Sequence, residues 1–459
     1  MTDTEASVDV LVLGGGLAGL CALNGAIDSG ASAALIEKTS NLGGSTVLSS
    51  GLMAFAGTDE QEVSGIHDNT ALLRADLLDT GKKCNDPSLV DAYCAQQDAT
   101  YRWLKDAGVE FGSPHPGSGQ TVPRSHHVDT DATVDLLRRR AIRAGGRIRT
   151  GSRADRLIVE AGQVEGVTTG PDGVEMRAGT VVVCTGGFSR SEALLTKFAP
   201  SMERALRSGG VGNTGDGLIM GCAAGARLTD MAFVKATFGI FPWQSSAEEG
   251  TGILALYQGA IAVNGLGERF VDESLPYKVI GDACLAQPEA LAYQIFDHAV
   301  MDRADPSVPI YDFTRRLQSG QIKHAETLAE LADQLGVDGA ALERTVDAYN
   351  RASGDGRLDP HGRRALCGGV GEPFPLVTPP FYGYPSTAVV LATYCGLNVD
   401  ADTRVIHESG QVIPNLFAAG EVTGGFHGDG YVTGSSLGKS AVFGRAAGRA
   451  AAGVARDRR

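Results

Sequence analysis

Three glycines near residue 15 have the spacing of a turn that binds phosphate groups. Gly14, Gly16 and Gly19 follow the apolar run Val10–Leu13, and the small and apolar residues Leu20–Asp28 come next. In such a turn the first glycine permits a tight bend, the second lets a pyrophosphate approach the backbone, and the third lets a helix pack closely on a strand. The unpaired N–H groups at the start of the helix then face the phosphates. We therefore predict a strand, a pyrophosphate-binding turn and a helix.

A carboxylate follows at the spacing expected for a ribose contact. The second apolar run, Ala33–Ile36, ends at Glu37, which is 18 residues past Gly19. Dinucleotide-binding folds place an acid at about this distance to meet the ribose 2′-hydroxyl. The strand, turn, helix, second strand and acid together predict an α/β, Rossmann-like dinucleotide site.

Further glycines and hydroxyl residues could contact the same cofactor. The loop after Glu37 could hold phosphates with its N–H and O–H groups, or it could be an ordinary glycine-serine loop. Asp216 lies between two glycines at a predicted helix start, where it is either a helix N-cap or a ligand contact. Apolar runs that end in glycine recur near residues 181–187 and 415–421. The additional predicted cofactor contacts are Lys38, Gly43, Gly44, Ser45, Thr46, Ser50, Gly51, Ala154, Thr185, Gly186, Asp216, Gly420, Glu421, Ser435, Ser436 and Leu437.

Composition and charge exclude several classes of partner. The 459-residue chain carries a formal net charge of −14, which disfavours binding to nucleic acid or to an anionic membrane surface. No apolar run reaches the roughly 18 residues of a membrane span. The N-terminal residues lack an apolar signal core, and the eight cysteines are scattered without a C-x-x-C pair. We therefore predict a cytoplasmic protein with free thiols.

The middle of the chain differs from its two ends in hydrophobic periodicity and in its content of aromatic residues. Residues 68–108 have helical periodicity, and the tract Phe111–Val128 is predicted to be a solvated or substrate-facing loop. That tract contains three histidines, but no acid or thiol accompanies them at ligand spacing, so no metal site is predicted. Aromatic residues concentrate after Thr229, and helices are predicted over Glu289–Arg303 and Leu328–Asn350.

These differences along the chain predict a discontinuous domain that carries an inserted second domain. Residues 1–228 and 353–459 are expected to form the cofactor domain, and residues 229–352 an α+β capping domain over the substrate. Residues 353–362 are rich in glycine, proline and aspartate. They are predicted to be the linker through which the chain returns to the cofactor domain. The last predicted helix, Ala441–Val454, is rich in small residues and suits packing beneath the cofactor.

The motifs, in their order along the chain, resemble a known superfamily. They match the flavoproteins of the fumarate reductase and succinate dehydrogenase superfamily, and the resemblance covers nearly the whole chain. It implies FAD as cofactor and an FAD domain with an inserted capping domain. No histidine occupies Ser45–Gly51, where respiratory members attach their flavin, so the FAD is expected to be non-covalent. The matching segments are Gly14–Gly19, Glu37, Gly43–Thr46, Thr185–Phe188, Thr214–Gly217, Gly267–Glu273 and Gly420–Gly425.

The residues that fumarate reductases use to bind a dicarboxylate are mostly replaced. By that resemblance, their acid arginine falls on Tyr277, their capping-domain histidine on Thr237, and the arginine after their His-Gly pair on Tyr431. Only His427 is retained. Loss of both arginines disfavours binding of a dianion, because guanidinium groups grip carboxylates in a bidentate manner.

The replacements resemble another branch. The segment ending at Tyr277 is similar to the tyrosine segment of 3-ketosteroid dehydrogenases. The segment Tyr431–Gly438 is similar to the Tyr-x-Ser-Gly-x-Ser-Leu-Gly segment of their Δ4-(5α) branch, with Thr433 in place of the first serine. Similar segments occur in desaturases of smaller cyclic ketones. The resemblance implies a ketone substrate, for which the predicted contacts are His427, Lys278, Phe238 and Gly434.

Desaturation beside a ketone requires a base for the α-proton and a hydride acceptor for the β-carbon. A tyrosine, with an ordinary pKa near ~10, can act as base if its anion is stabilised, or as a donor to the carbonyl. We predict Tyr431 beside the reacting carbons and Tyr277 with Thr433 as a proton relay, although the two tyrosines could exchange roles. Lys278 could lower a phenol pKa, meet a substrate carboxylate, or be solvated.

Three functional hypotheses follow. The first is an FAD-dependent dehydrogenase that converts a cyclic ketone to its enone, the ring being a cyclohexanone, with or without a carboxylate, or a 3-ketosteroid. The alternative is a fumarate-reductase-like reductase of an α,β-unsaturated acid. The third is a flavin-binding protein without catalysis, which the aromatic-rich capping segment disfavours. No haem or iron–sulfur spacing identifies the electron acceptor.

Overall fold

A computed structural model describes residues 7–243, 252–354 and 358–458. The N-terminal residues used to predict localisation therefore lie outside the described part, as does the centre of the predicted linker. Within the described ranges, no helix combines the length and apolar character required to cross a lipid bilayer.

The glycine motif belongs to a large, mainly parallel sheet. Its first strand, Val8–Leu13, is almost wholly buried and pairs in parallel with Ala33–Ile36 on one side and Val174–Val183 on the other. Two further parallel strands extend it, and a hairpin and an edge strand complete it. Parallel sheets are covered on both faces, which explains the continuous apolar runs of the sequence. The strands of this sheet are Val8–Leu13, Ala33–Ile36, Arg147–Arg149, Ala154–Glu160, Gln163–Thr169, Val174–Val183, Arg404–Ile406 and Val412–Ala418.

A second, six-stranded sheet has its own hydrophobic core. Its longest strand, Phe381–Val390, pairs with strands on both of its sides. The strands of this sheet are Leu206–Arg207, Thr237–Ile240, Ile261–Asn264, Ala292–Phe296, Lys323–Ala325 and Phe381–Val390. Two small sheets add Leu52–Ala54, Pro114–His115 and Ser125–His127, and Leu228–Thr229 with Gly396–Leu397.

Helices cover both sheets. The first begins at Leu17, directly after the glycine turn, and the last begins at Ser435. The α-helices are Leu17–Asp28, Asp59–Val63, Thr70–Thr80, Pro87–Ala107, Thr130–Arg143, Glu192–Phe198, Asp216–Ala223, Tyr277–Leu285, His298–Met301, Phe313–Gln318, Leu328–Leu335, Gly339–Gly354 and Ser435–Asp457. The predicted α/β class is confirmed.

Backbone contact between the first and last helices brings the two ends of the described chain together. A Cβ atom added at Gly444 would lie 2.4 Å from the carbonyl oxygen of Ala18, and one added at Gly448 would lie 1.9 Å from that of Ala22. Only glycine fits at such distances. The small residues of the last helix therefore place Gly420–Ser436 beside the glycine turn.

Two helix predictions in the middle of the chain are corrected. The centre of Glu289–Arg303 is a strand, Ala292–Phe296, which pairs on both sides within the second sheet. Sheet pairing of its tyrosine, isoleucine and phenylalanine outweighs local helix propensity there. Leu328–Asn350 forms two helices rather than one, because Gly336 adopts a left-handed conformation with φ 69° and ends the first of them.

The tract Phe111–Val128 is not a solvated loop. It contains two short strands, and the side chains of Arg124 and His126 are fully buried. The Arg124 guanidinium lies 2.9 Å from an Asp68 carboxylate oxygen and 2.6 Å from an Asp76 carboxylate oxygen. Two carboxylates therefore compensate the burial of the cation. They come from a segment whose contact with this tract was not predicted from the sequence.

The predicted domain boundary at residue 352 cuts through the second sheet. Strand Phe381–Val390 lies outside 229–352 yet pairs with Thr237–Ile240, Ala292–Phe296 and Lys323–Ala325. We propose that the capping unit extends from about Thr229 to Val390, with the chain returning to the cofactor domain after that strand.

Candidate active site

A cavity of about 540 Å³ lies between the glycine turn and the second sheet. The glycine turn, the loop after Glu37 and the start of the last helix line one part of it. The capping segments contribute Phe238, Leu254, Tyr277 and Ile310 to the other part. One cavity is therefore lined by both the predicted nucleotide site and the predicted tyrosines.

A different steric requirement explains the glycine at each position of the turn. Gly14 has φ 101°, and an added Cβ would lie 2.4 Å from the carbonyl oxygen of Cys184. A Cβ at Gly19 would lie 1.9 Å from the carbonyl oxygen of Gly14, so that position controls helix–strand packing. A Cβ at Gly16 would meet its nearest atom, the carbonyl oxygen of Gly43, only at 3.6 Å. Gly16 lines the cavity, where its missing side chain leaves room for a ligand.

The Glu37 carboxylate is held at the end of its strand. One oxygen accepts a hydrogen bond from the Gly15 N–H at 2.8 Å, and the other accepts from the Thr39 N–H at 2.8 Å. Glu37 lines the cavity beside the glycine turn. This is the position that a ribose-binding carboxylate requires.

Asp216 forms a charged cluster at the same end of the cavity. Its carboxylate lies 2.9 Å from the Lys38 ammonium and 3.0 Å from the Arg153 guanidinium. Burial raises the pKa of Asp216, but hydrogen bonds from Arg153 and Lys38 outweigh burial and leave the pKa below its usual value. Gly215, not Asp216, is the N-cap of the following helix. Both cations on this part of the wall are therefore already paired with a carboxylate.

Glu421 is a buried acid on the cavity wall. One of its oxygens accepts from the Thr393 N–H at 3.0 Å, and the other accepts from the Asn213 side-chain amide at 3.2 Å. Burial raises the pKa of Glu421 above its usual value. The same Asn213 amide also donates to Ser45 Oγ at 2.9 Å, so these residues form one hydrogen-bonded group.

Most of the predicted cofactor contacts line the cavity, and the remainder lie behind it. Gly43, Gly51 and Gly420 have positive φ angles and shape the backbone, while Ser435 Oγ donates to the Val432 carbonyl oxygen. The predicted contacts that line the cavity are Gly14, Gly16, Glu37, Lys38, Gly44, Ser45, Thr46, Ser50, Ala154, Thr185, Gly186, Asp216, Glu421, Ser436 and Leu437. Gly19, Gly43, Gly51, Gly420 and Ser435 do not line it.

The wall fits a flavin dinucleotide. Thr185 Oγ1 is buried on the cavity wall and has no hydrogen-bond partner within the protein, as expected for a group that serves a ligand. The space at Gly16 and the carboxylate of Glu37 supply the pyrophosphate and ribose positions. When FAD is bound, Gly16, Glu37 and Thr185 would hold its nucleotide portion.

Replacing Gly16 with alanine should weaken FAD binding by about 10- to 100-fold without unfolding the protein. The added methyl group makes only ordinary contacts with the protein, with Thr46 Oγ1 at 3.7 Å, but it occupies the space above the turn. We expect the methyl group to cost the pyrophosphate one hydrogen bond to the turn. Loss of a hydrogen bond to a charged group costs about 1.5–3 kcal/mol, which corresponds to the expected loss of affinity for FAD. Titration of the apoprotein with FAD, followed by flavin fluorescence, measures the effect. Gly265→Ala is the matched control, since nothing lies within 4 Å of its added Cβ.

The two predicted catalytic tyrosines meet at the other end of the cavity. The ring centroids of Tyr277 and Tyr431 lie 5.8 Å apart in an edge-on arrangement, and both residues line the cavity. Thr433 also lines it, and its hydroxyl oxygen accepts from the Ser118 N–H at 2.9 Å. Phe238 and Gly434 complete this part of the wall. The structure thus brings together the three predicted catalytic residues.

A third tyrosine, Tyr394, was missed by the sequence analysis. Its ring centroid lies 4.9 Å from that of Tyr431, and it lines the same cavity. Tyr394 has φ 54°, an uncommon conformation for a large side chain, of the kind that concentrates at functional sites. It follows the strand Phe381–Val390. That strand was not predicted from the sequence. Nothing therefore marked the position after its carboxyl end, where functional sites commonly lie.

The three phenols differ in how far their surroundings raise the pKa. Burial raises the pKa of Tyr431 above its usual value, and the neighbouring N–H groups of Ser436 and Gly434 and hydroxyls of Tyr277 and Tyr394 offset only part of that rise. Burial raises the pKa values of Tyr277 and Tyr394 well above their usual value, and the neighbouring Tyr431 raises them further. The pKa of Tyr431 is therefore the least raised of the three.

His427 and Lys278, which were predicted to contact substrate, are both buried and pack against the tyrosines of the cavity wall. The His427 ring stacks edge-on against Tyr394 at 4.8 Å, and burial holds the pKa of this histidine well below its usual value. Lys278 is 2% exposed, so it is not solvated either. Neither residue lines the cavity; both pack against the tyrosines that do.

Comparison with known proteins places the chain in a family. The model described as an FAD binding domain matches residues 9–437. Urocanate reductase of Eggerthella lenta is 31% identical over 430 residues, which make up 91% of this chain and 70% of the relative. A fumarate reductase (cytochrome) of Shewanella frigidimarina is 32% identical over 434 residues, or 92% of this chain and 73% of the relative.

Solved structures show the same fold. The open conformation of a flavocytochrome c3 fumarate reductase has a TM-score of 0.80 and 28% identity, and the match covers 99% of this chain and 79% of that one. The 3-ketosteroid Δ4-(5α)-dehydrogenase of Rhodococcus jostii RHA1, in complex with 4-androstene-3,17-dione, has a TM-score of 0.77 and 26% identity, covering 98% of both chains. The predicted superfamily and cofactor are confirmed, whereas the sequence relatives named above are reductases. The chain therefore belongs to the FAD binding domain family within the fumarate reductase and succinate dehydrogenase flavoproteins, and it is an FAD-dependent oxidoreductase.

Proposed function

We propose that the protein oxidises a cyclic ketone to its α,β-unsaturated ketone, with Tyr431 as the base. The observation that carries this proposal is the packing of Tyr277 and Tyr394 against Tyr431, on the wall of the cavity that also contains the nucleotide motif. A ketone needs only hydrogen-bond donors for its oxygen and a base for its α-carbon. Tyrosines can supply both.

The residues divide the chemistry among them. The Tyr431 oxygen takes the α-proton as the electrons of the C–H bond move toward the carbonyl, whose oxygen is polarised by a hydrogen-bond donor on the wall. Bound FAD supplies the acceptor for the hydride that leaves the β-carbon. Tyr277 and Thr433, which line the cavity beside Tyr431, pass the captured proton outward.

Tyr431 is favoured over Tyr277 as the base because of what surrounds its oxygen. Gly434 and Ser436, whose N–H groups lower the pKa of Tyr431, lie at the beginning of the helix Ser435–Asp457. The positive end of a helix stabilises a nearby anion. Burial raises the pKa of Tyr277 well above its usual value, which makes it the poorer base of the two and suits it to a relay.

The wall around the tyrosines favours a neutral carbonyl substrate over a dicarboxylate. Among the described residues that line this part, the capping side contributes Thr237, Phe238, Leu254 and Ile310, none of which is cationic. The lining cations Lys38 and Arg153 lie at the other end and pair with Asp216. The ketosteroid dehydrogenase with the similar fold was solved with a ketone, 4-androstene-3,17-dione.

A second candidate is reduction of an α,β-unsaturated acid. The observation that favours it is the identity to urocanate reductase and fumarate reductase over more than nine-tenths of the chain. In that direction Tyr431 would donate a proton to carbon instead of removing one. The same phenol cluster can serve, but binding the acid would require a cation that the described cavity wall near the tyrosines lacks.

Anaerobic flavin reduction separates the two candidates. We expect a saturated ketone from a panel of cyclohexanone, 4-oxocyclohexanecarboxylate and a 3-ketosteroid to bleach the oxidised flavin, and mass spectrometry to find the enone. The dithionite-reduced enzyme should not be reoxidised by fumarate or urocanate. Reoxidation by either acid, with no bleaching by any ketone, would overturn the proposal in favour of the reductase.

Acid precipitation should release the flavin into the supernatant, since we propose that FAD is held without a covalent bond.

A further inference from the structure

A buried lysine lies against the cavity wall at Thr237. The helix Tyr277–Leu285 packs closely on the strand that begins at Thr237. A Cβ atom added at Gly281 of this helix would lie 2.4 Å from the carbonyl oxygen of Ala236. This close packing places the Lys278 side-chain nitrogen 3.3 Å from the Thr237 hydroxyl oxygen. Lys278 is 2% exposed, whereas Thr237 is only partly buried and lines the cavity.

Three electron-rich groups surround the Lys278 ammonium, which has three N–H donors. They are the Lys235 carbonyl oxygen at 3.3 Å, the Thr237 hydroxyl oxygen at 3.3 Å and the face of the Tyr394 ring, whose centroid is 4.3 Å away. Each donor of the charged form therefore has a partner. Because an ammonium group can only donate, the Thr237 oxygen accepts from it.

The hydroxyl proton of Thr237 remains for a ligand. A hydroxyl can accept one hydrogen bond and donate another, and within the described residues no protein acceptor takes the Thr237 proton. Because Thr237 lines the cavity, this proton can be donated to a molecule bound there. A hydroxyl that accepts from a cation is also a stronger donor, since linked hydrogen bonds polarise one another.

We propose that the Thr237 hydroxyl binds the carbonyl oxygen of the substrate, with Lys278 as a positioning residue that acts through this hydroxyl. The hydroxyl donates to the ketone oxygen as negative charge develops there, and the ammonium stabilises that charge through the hydroxyl. Thr237 is then the donor that polarises the carbonyl in the proposed oxidation, so this inference rests on that reaction.

The position of Lys278 places this donor near the proposed base. The Lys278 nitrogen lies 5.6 Å from the Tyr431 ring centroid, so Tyr431 and the Thr237 hydroxyl are neighbours of the same side chain. In a ketone, two bonds separate the carbonyl oxygen from the α-carbon. A donor and a base that bind these two atoms must therefore lie close together.

Removal of the Thr237 hydroxyl tests the proposal. Thr237→Val keeps the shape of the side chain and should slow anaerobic flavin reduction by the ketone about 10- to 100-fold, the usual effect of losing a hydrogen bond to a charged oxygen. Thr237→Ser keeps the hydroxyl and should react at nearly the wild-type rate. Thr378→Val removes an exposed hydroxyl and is the matched control. An unchanged rate in Thr237→Val would overturn the proposal.

A double-mutant cycle shows whether Lys278 acts through Thr237. Lys278→Met alone should slow flavin reduction about 3- to 10-fold, because charge roughly doubles the strength of a hydrogen bond. In the Thr237→Val background the same substitution should have almost no further effect, since the hydroxyl through which the ammonium acts is gone. A lysine that only supported the packing of the tyrosines would slow both backgrounds equally, and that result would refute its positioning role.

The infrared stretch of the bound carbonyl gives a readout that needs no turnover. Cyclohexanone, 4-oxocyclohexanecarboxylate and a 3-ketosteroid, each with ¹²C or ¹³C at the carbonyl, are bound to photochemically reduced holoenzyme, whose flavin cannot accept a hydride. Burial lowers the pKa of Lys278 to about 7, so spectra are recorded about one pH unit lower, where most of the lysine is charged. We expect at least one ketone to have a lower carbonyl frequency in the wild type and in Thr237→Ser than in Thr237→Val.

This readout distinguishes failure of the inference from failure of the proposed reaction. If no ketone shows a carbonyl frequency that depends on Thr237, the inference fails, whether or not a ketone bleaches the oxidised flavin. If the frequency depends on Thr237 while no ketone bleaches the flavin, the carbonyl site is supported and the proposed oxidation fails instead.

Discussion

Replacement of Tyr431 with phenylalanine should slow flavin reduction by a ketone by about 100- to 10,000-fold, the usual contribution of a general base. The ring stays, and so do its contacts with Tyr277 and Tyr394, but the oxygen proposed to take the α-proton is lost. Substrate affinity should change much less, because the base acts on the transition state. Anaerobic stopped-flow measurement of the flavin absorbance at saturating ketone gives the rate, and its concentration dependence gives the affinity.

A tyrosine remote from the cavity provides the matched control for this substitution. The Tyr382 hydroxyl is hydrogen-bonded to His298 Nδ1 at 3.0 Å, and the residue belongs to the core of the second sheet. Tyr382→Phe should reduce the flavin at the wild-type rate with equal FAD content. If Tyr431→Phe behaves like this control, Tyr431 is not the base, and Tyr277→Phe becomes the decisive variant.

Replacement of Arg124 with methionine should lower the free energy of unfolding by about 3–5 kcal/mol, the usual effect of breaking a buried ion pair from one side. The guanidinium is fully buried, and methionine would leave Asp68 and Asp76 as buried carboxylates without their cation. The segments that it joins also support Thr433, because Gln120 of the same tract donates to the Thr433 carbonyl oxygen at 2.8 Å. Urea unfolding followed by circular dichroism measures the loss.

An exposed ion pair shows what burial contributes to this effect. Arg74 pairs with Asp91 at the surface, where water and salt screen the interaction. Arg74→Met removes the same charge and should leave the unfolding midpoint almost unchanged. Equal effects of the two substitutions would mean that the buried cluster contributes nothing beyond surface charge.

The cofactor side of the site could be predicted from sequence because its determinants are local. Gly14, Gly16 and Gly19 lie within one strand, turn and helix, where Gly19 packs against the Gly14 carbonyl group, and Glu37 follows the adjacent strand. Short-range spacing records such contacts directly. The strand Ala33–Ile36 was predicted with its observed limits for the same reason.

The catalytic side was harder to predict because its determinants are distant in sequence. Tyr277 and Tyr431 were found only by resemblance to families with tyrosines at those positions. Tyr394 follows a strand whose pairing partners include Leu206, which pairs with Val389 from 183 residues earlier, and no local pattern marks it. The position of Lys278 behind the rings also depends on tertiary packing, so the sequence left a solvated lysine open as one of three possibilities.

The contact between Gly444 and Ala18, and between Gly448 and Ala22, has a consequence for biosynthesis. The first helix of the nucleotide site leaves the ribosome early, but the helix that packs on it through bare backbone is made more than 400 residues later. Until then the capping sheet can fold as a separate unit, while the parallel sheet lacks the strand Val412–Ala418. Capture of the flavin is therefore a late event, and a polypeptide released prematurely should emerge colourless.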